Sequence, residues 1–171
     1  MRGIVAKSDK SNILFYPQQR CFAPILIIVP PSIISNFSNE LNIWGYFAVT
    51  LFQGKERMNA IEKITNGHDD ILIIGKSLLT SDQTIDLLQD IKWKLIVVDE
   101  FHDYKNNKSR AYSSLTNVQR RCKCPIIGMT GTLMSNDQKE LHVLVDLVRP
   151  GLLGDSKSFK KYISIPMKLA R

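Results

Sequence analysis

The run Leu95-Ile96-Val97-Val98 leads straight into Asp99-Glu100-Phe101-His102. Four consecutive apolar residues suit a strand buried on both faces, as the strands of parallel sheets are. In open α/β sheets, ligands sit just beyond the carboxyl ends of such strands. Two adjacent carboxylates at that edge can hold a magnesium ion and polarise a water near a phosphate. The same residues also suit a strand that ends in a polar loop with solvated acids. Taken alone, they leave both readings open.

A second strand-then-turn pattern follows at Pro125-Ile126-Ile127-Gly128-Met129-Thr130-Gly131-Thr132. Small residues let the backbone approach a phosphate or a neighbouring strand. The threonine hydroxyls can bond to whatever lies across the sheet edge. Ser135 or Asn136 could cap a helix beginning there, and such a cap does not exclude a functional turn.

Between and around these elements, strand and helix patterns alternate, which argues for a three-layer α/β fold with a parallel sheet. Strands are expected at 25–29, 48–52, 71–75, 94–98 and 125–129. The first helix should start after Pro30-Pro31 with Ser32 as cap. Its apolar face would be Ile34, Phe37, Leu41 and Trp44, and Gly45 would stop it. Further helices fit 56–66, 82–91 (Ile85 and Leu88 inward) and 110–119 after Ser109. A fifth should begin near Asp137, which has capping-box spacing to Glu140. Its apolar face would be Leu141, Leu144, Val145 and Val148, and Pro150 would end it.

Composition sets limits. The 171 residues make one domain's worth, and 44% hydrophobic with 23% charged residues is ordinary for a globular chain. Of the net charge of +7, five charges fall between Arg149 and Arg171, where six basic residues face one acid, Asp155. Arg120, Arg121 and Lys123 form a second basic cluster. Each lysine reads equally as a solvated helix end or a nucleic-acid contact. Three cysteines are too few for a disulfide framework, and Cys122 and Cys124 without a second Cys/His pair make a poor zinc site. A reducing intracellular compartment is the natural inference. No apolar run is long enough to span a membrane.

With these elements in order, the chain resembles the Swi/Snf family of helicase-like DNA translocases of superfamily 2. Asp99-Glu100-Phe101-His102 looks like its DEAH-type Walker B box, motif II. Thr130-Gly131-Thr132 with Asn136 looks like motif III. Pro24 to Ser32, with Asn36, Phe37, Glu40 and Trp44, looks like motif Ia, and Asp70 to Ser77 sits where motif Ib falls. Pro150-Gly151-Leu152-Leu153-Gly154 before Phe159-Lys160 is similar to the excision-repair, Cockayne-syndrome-B-like branch. The resemblance spans roughly 24–163, with two departures. Phe101 stands where the family usually has a small residue, so its ring must find room under the sheet edge. Leu133 stands where proline is frequent.

The resemblance implies an incomplete RecA-like first lobe of the P-loop NTPase type. Residues 1–23 would lie outside it, 24–150 would form the lobe, and 151–171 a basic extension. It implies the sheet order 125–129, 94–98, 25–29, 71–75, 48–52, with 125–129 an unprotected edge and Ile126 and Ile127 poorly covered. Asp99 would hold Mg²⁺ through water, and Glu100, also near the metal, would activate the attacking water. His102 would link the nucleotide site to Thr130, Gly131 and Thr132, which couple nucleotide state to DNA. Ser32, Asn36, Lys76 and Ser77, with Lys160 and Lys161, would touch DNA phosphates without reading sequence. The complete motor would use ATP and Mg²⁺, work with a second lobe and be nuclear.

The phosphate-wrapping signature G-x-x-x-x-G-K-[ST] is not in this sequence. Gly75-Lys76-Ser77 looks like its tail, but Asp70 stands where the first glycine is needed. It also follows motif Ia rather than preceding it. Residues 1–23 hold only Gly3 and a short apolar patch, Ile13 to Tyr16. Part of a motor lobe, as a fragment or truncated gene model, is therefore the expectation, and this chain alone should bind no nucleotide. Two other classes remain: a non-catalytic binding module derived from such a lobe, and a different α/β protein such as a phosphotransfer receiver or small NTPase. An authentic start at Met1 would favour the module, and a different strand order would favour the third reading.

Overall fold

The five apolar runs each form a strand, and all pair in parallel. The computed structural model describes residues 23–132 and 138–169. The strands are β1 (Ile25–Val29), β2 (Val49–Phe52), β3 (Ile71–Gly75), β4 (Leu95–Val98) and β5 (Ile126–Gly128). Their order across the sheet is β2-β3-β1-β4-β5, the one that the resemblance implied. The register fixes which strand ends stand side by side: Val29 pairs with Gly75, Ile28 with Val98, and Val98 with Gly128.

The helices are α1 (Ile34–Trp44), α2 (Arg57–Thr65), α3 (Asp82–Gln89), α4 (Arg110–Cys122), α5 (Gln138–Val148), α6 (Ser156–Phe159) and α7 (Ile165–Leu169). A π turn, Lys160–Ser164, joins the last two. Side chains alternate across each strand, so the sheet feeds two cores. Leu26, Ile28, Leu72, Ile74, Ile96, Val98 and Ile126 pack on one face with residues of α2 to α5. Ile27, Val29, Ile71 and Ile73 pack on the other with Ile34, Phe37 and Leu41 of α1. At about 25 cal/mol per Å² of apolar area removed from water, these interleaved layers are the main stabilising term.

Several local expectations are corrected. Ser32 does not cap α1. The chain first makes a 3₁₀ turn over Pro31–Ile33, and no side chain caps the helix that follows. Trp44 is not core; it is 70% exposed, and its indole N–H donates to Glu40 at 2.8 Å. At 3.6 residues per turn it sits about 60° from Leu41, on the margin of the buried stripe. In α5 the buried apolar positions are Leu144 and Leu147, while Val148 is exposed. Helix α4 runs one turn longer than expected, to Cys122, and places Arg120 and Arg121 in its last turn, where cations suit the helix dipole. Helix α4 begins after Ser109 as expected, and Ser109 caps it, its Oγ accepting from the Tyr112 N–H at 3.2 Å. The expected start of α5 at Asp137, and Ser135 and Asn136, lie outside the described residues.

Among the described residues, no strand pairs with the outer side of β5. Its two isoleucines fare differently. Ile126 is only 4% exposed, because its face is covered by helices, whereas Ile127 is 49% exposed. Ile127 pairs in register with Val97 on the α1 face, and α1 packs over β2 and β3, away from β5. The expected poor cover therefore holds for Ile127 and fails for Ile126.

Candidate functional site

The carboxyl ends of four adjacent strands bring most of the candidate residues to one edge. Lys76 and Ser77 follow β3, Ser32 follows β1, Asp99 to His102 follow β4, and Thr130 to Thr132 follow β5. Backbone bonds weld these ends together: Lys76 N–H to Val29, Asp99 N–H to Ile28, Met129 N–H to Val98, and Phe101 N–H to Met129, all at 2.8 to 2.9 Å. Asn36 lies two residues into α1 beside this edge, exposed like Ser32 and Ser77. Lys160 and Lys161 lie apart, exposed on the π turn. Lys160 lines a cavity of about 940 Å³ that reaches back to Lys105 and Asn106, just past the β4 turn.

The turn after β4 is a 3₁₀ turn, Phe101–Tyr104, entered through Glu100 in the left-handed region at φ 50. A non-glycine residue there costs about 1–3 kcal/mol, and such strain persists only where the surroundings enforce it. Here they do. Phe101 is 3% exposed and stacks on Tyr104, itself 1% exposed, with centroids 5.9 Å apart. Burial pushes the Tyr104 phenol up, with a smaller push from Asp103. The Phe101 ring finds its room above Gly128: a Cβ at residue 128 would lie 2.4 Å from two ring carbons. The bulky residue is thus matched by a missing side chain on the neighbouring strand.

With the ring seated, His102 reaches the turn after β5. Its Nδ1 is 3.0 Å from Thr130 Oγ1 and 3.2 Å from Glu100 Oε2. Thr130 Oγ1 also accepts from the Thr132 N–H at 3.1 Å and lies 3.2 Å from the Thr132 carbonyl. One assignment of hydrogens satisfies these four contacts. Nδ1–H donates to the Glu100 carboxylate and the Thr130 oxygen, and the Thr130 hydroxyl donates to the Thr132 carbonyl. Glu100, His102, Thr130 and Thr132 therefore form one polar chain from the carboxylates to the outer turn. Gly131 lies between its last two members, exposed, with nothing near the place of a Cβ.

Two participants escaped the sequence reading. Asp103 forms an ion pair with Lys76 across the sheet edge, and its other oxygen is 3.6 Å from His102 Nε2. Lys76 thus bonds a carboxylate of the neighbouring turn. A 3₁₀ turn, Leu78–Thr80, follows it closely, unlike the long helix that a phosphate loop opens onto. Gly128 was the second omission. Its only signal is a glycine late in an apolar run, which suggests close approach but not by what.

Asp99 and Glu100 offer hard oxygen donors, half-buried at the strand end, of the kind Mg²⁺ takes. Among the described residues no group of three or more His, Cys, Asp and Glu converges on one point. The carboxylate pair fits a hydrated ion that draws its remaining ligands from water and phosphate.

A family model described as "SNF2-related domain" matches residues 5–171. The mouse "DNA excision repair protein ERCC-6-like 2" is 37% identical over 148 residues, covering 84% of this chain and 9% of the relative. Human "DNA repair and recombination protein RAD54B" is 31% identical over 147 residues, covering 85% of this chain and 16% of the relative. Among solved structures, the "Sulfolobus solfataricus SWI2/SNF2 ATPase core in complex with dsDNA" superposes with a TM-score of 0.67 at 26% identity. That match covers 86% of this chain and 30% of the other. The chain spans less than a third of the length of each of these proteins.

Proposed function

The chain belongs to the SNF2-related family of superfamily 2, with the RecA-like parallel sheet of the SWI2/SNF2 core, and from that premise we propose that it is part of the first lobe of a nuclear, DNA-dependent ATPase that moves along double-stranded DNA in repair or chromatin remodelling. The observation that carries this reading is the His102–Thr130 bond of 3.0 Å. It links the carboxylate turn to the outer turn although Phe101 departs from the family pattern. In the complete motor Asp99 would hold Mg²⁺ through water, and the ion would neutralise charge developing on the transferred phosphoryl group. Glu100 would orient and activate the attacking water. Because Glu100 shares Nδ1 of His102 with Thr130, a change at that carboxylate redistributes one hydrogen bond. The redistribution reaches Thr132 through the Thr130 hydroxyl.

On the DNA side, Ser32, Asn36 and Ser77 present exposed polar groups along the edge. Lys160 and Lys161 supply charge. Such contacts position a duplex without reading it. Lys76 contributes through its pair with Asp103 and would have to exchange that carboxylate for a phosphate.

Purified 1–171 should bind duplex DNA weakly, without sequence preference, and with affinity falling steeply as salt rises, because each neutralised phosphate releases counterions. Reversal of both Lys160 and Lys161 to Glu should lower the affinity and the salt slope together. A double variant that binds like the parent removes these lysines from the track. The chain alone should not turn over ATP. Turnover abolished by Glu100→Gln would mean that a phosphate site exists in these 171 residues and that the reading of the chain as part of a site is wrong.

A further inference from the structure

Away from the sheet edge, the junction between α4 and β5 holds two thiols that the motor reading leaves without a use. Cys122 ends α4, and Cys124 lies two residues before β5. Their sulfurs are 3.0 Å apart. Cys122 is half-buried and Cys124 only 5% exposed. The backbone makes this meeting possible. An extended chain would separate residues i and i+2 by about 7 Å, at the limit of what a disulfide bridges. Lys123 instead adopts the left-handed conformation, φ 52, and its N–H closes onto the Gln119 carbonyl at 2.8 Å. The turn folds the chain back so that both side chains point at each other.

The pair is chemically unsymmetrical. Cys122 Sγ lies 3.0 Å from the Val118 carbonyl, and Cys122 is the less buried residue of the two. The S–H···S bond from Cys124 holds the Cys122 thiol down at about 7, below its ordinary range, and pushes the Cys124 thiol up. The attacking sulfur of an exchange reaction must be accessible and largely thiolate, and the resolving sulfur must be within reach. The two cysteines divide these roles between them.

We propose that Cys122 and Cys124 form a thiol–disulfide exchange site that accepts a small disulfide of the glutathione class. The Cys122 thiolate attacks one sulfur of oxidised glutathione and expels one glutathione thiolate, leaving a mixed disulfide on Cys122. Cys124 loses its proton and attacks Cys122 Sγ, expelling the second glutathione. The protein loses two electrons and two protons, and the glutathione disulfide gains them. The product ring spans only three residues, so it is strained and readily reversed, as regulatory disulfides are. It would replace the Cys122–Val118 hydrogen bond and tie the end of α4 to the strand that carries Thr130.

The test uses the 171-residue chain with Cys21→Ser, so that only the two thiols in question remain. The protein is incubated with oxidised glutathione, alkylated with N-ethylmaleimide and weighed intact. The expected product lacks both alkyl groups, is lighter by two hydrogens than the reduced chain, and regains both alkylation sites after excess reduced glutathione. A Cys124→Ser variant should stop at a stable glutathione adduct, and Cys122→Ser should not react. A stable adduct on the chain with both cysteines, or full alkylation after incubation, overturns the proposal. These outcomes are independent of ATP and DNA binding, so the motor reading stands or falls separately.

Discussion

The two turns that meet at the edge of the sheet are held by different means. The turn after β4 is set by packing: Phe101 and Tyr104 are buried, and their rings fix a backbone that includes a left-handed glutamate. The turn after β5 has no such anchor among its described residues. Thr130 is half-buried, Gly131 and Thr132 are exposed, and the side-chain bonds of the turn run through one hydroxyl. The first turn is therefore a fixed platform, and the second, held by polar bonds at an exposed edge, is the yielding one. In the proposed motor, a relay between nucleotide and DNA would use one rigid side and one yielding side, which apolar packing and polar bonding would supply separately.

The contrast can be broken most directly at the ring. Phe101→Ala should cost about 3–5 kcal/mol, the range for a deleted buried phenyl. Urea unfolding would show it, and a loss under about 1 kcal/mol would mean that packing does not set the β4 turn. Gly128→Ala should cost about 1–3 kcal/mol through overpacking against the same ring. In the Phe101→Ala background that cost should nearly vanish, so a double-mutant cycle with additive losses would separate the two positions. At the yielding turn, Thr130→Val should cost only about 1 kcal/mol, a neutral hydrogen bond. Amide exchange should then quicken at 130–132 and stay unchanged at 101–104. Faster exchange at both turns would make them one unit. The smallest effect belongs to Lys76→Ala. Its pair with Asp103 is over a third exposed, so the loss should be under about 1 kcal/mol and should disappear in high salt.

What the sequence disclosed and what it withheld divide along a physical line. Strand positions came within a residue, because a strand inside a parallel sheet leaves a short, largely apolar run bounded by polar or turn residues. The start of α4 after Ser109 was readable because the signals that begin a helix act over three residues. The sites that eluded sequence reading depend on partners distant in the chain. Nothing near Phe101 says that Gly128 will receive its ring, and nothing near Lys76 announces Asp103. The failed cap at Ser32 and the exposed Trp44 have a more local cause. The two prolines tighten the chain into a 3₁₀ turn before α1, and the helix ends with Trp44 at the margin of its buried face. The polar chain through His102 was expected from the family likeness, and its atoms could not be assigned until the ring of Phe101 had a place to go.

Glu100 carries a consequence for anyone selecting variants of this protein. Its backbone sits where glycine or asparagine would sit more comfortably. A screen that rewards heat resistance alone should therefore return replacements at this position, as at the left-handed Lys123. Each replacement of Glu100 would make a sturdier molecule while discarding the carboxylate that the strained backbone holds beside His102. Resistance to unfolding and possession of that carboxylate are opposed at a single codon, and a stability ranking of all substitutions there would read out what the fold gives up to keep it.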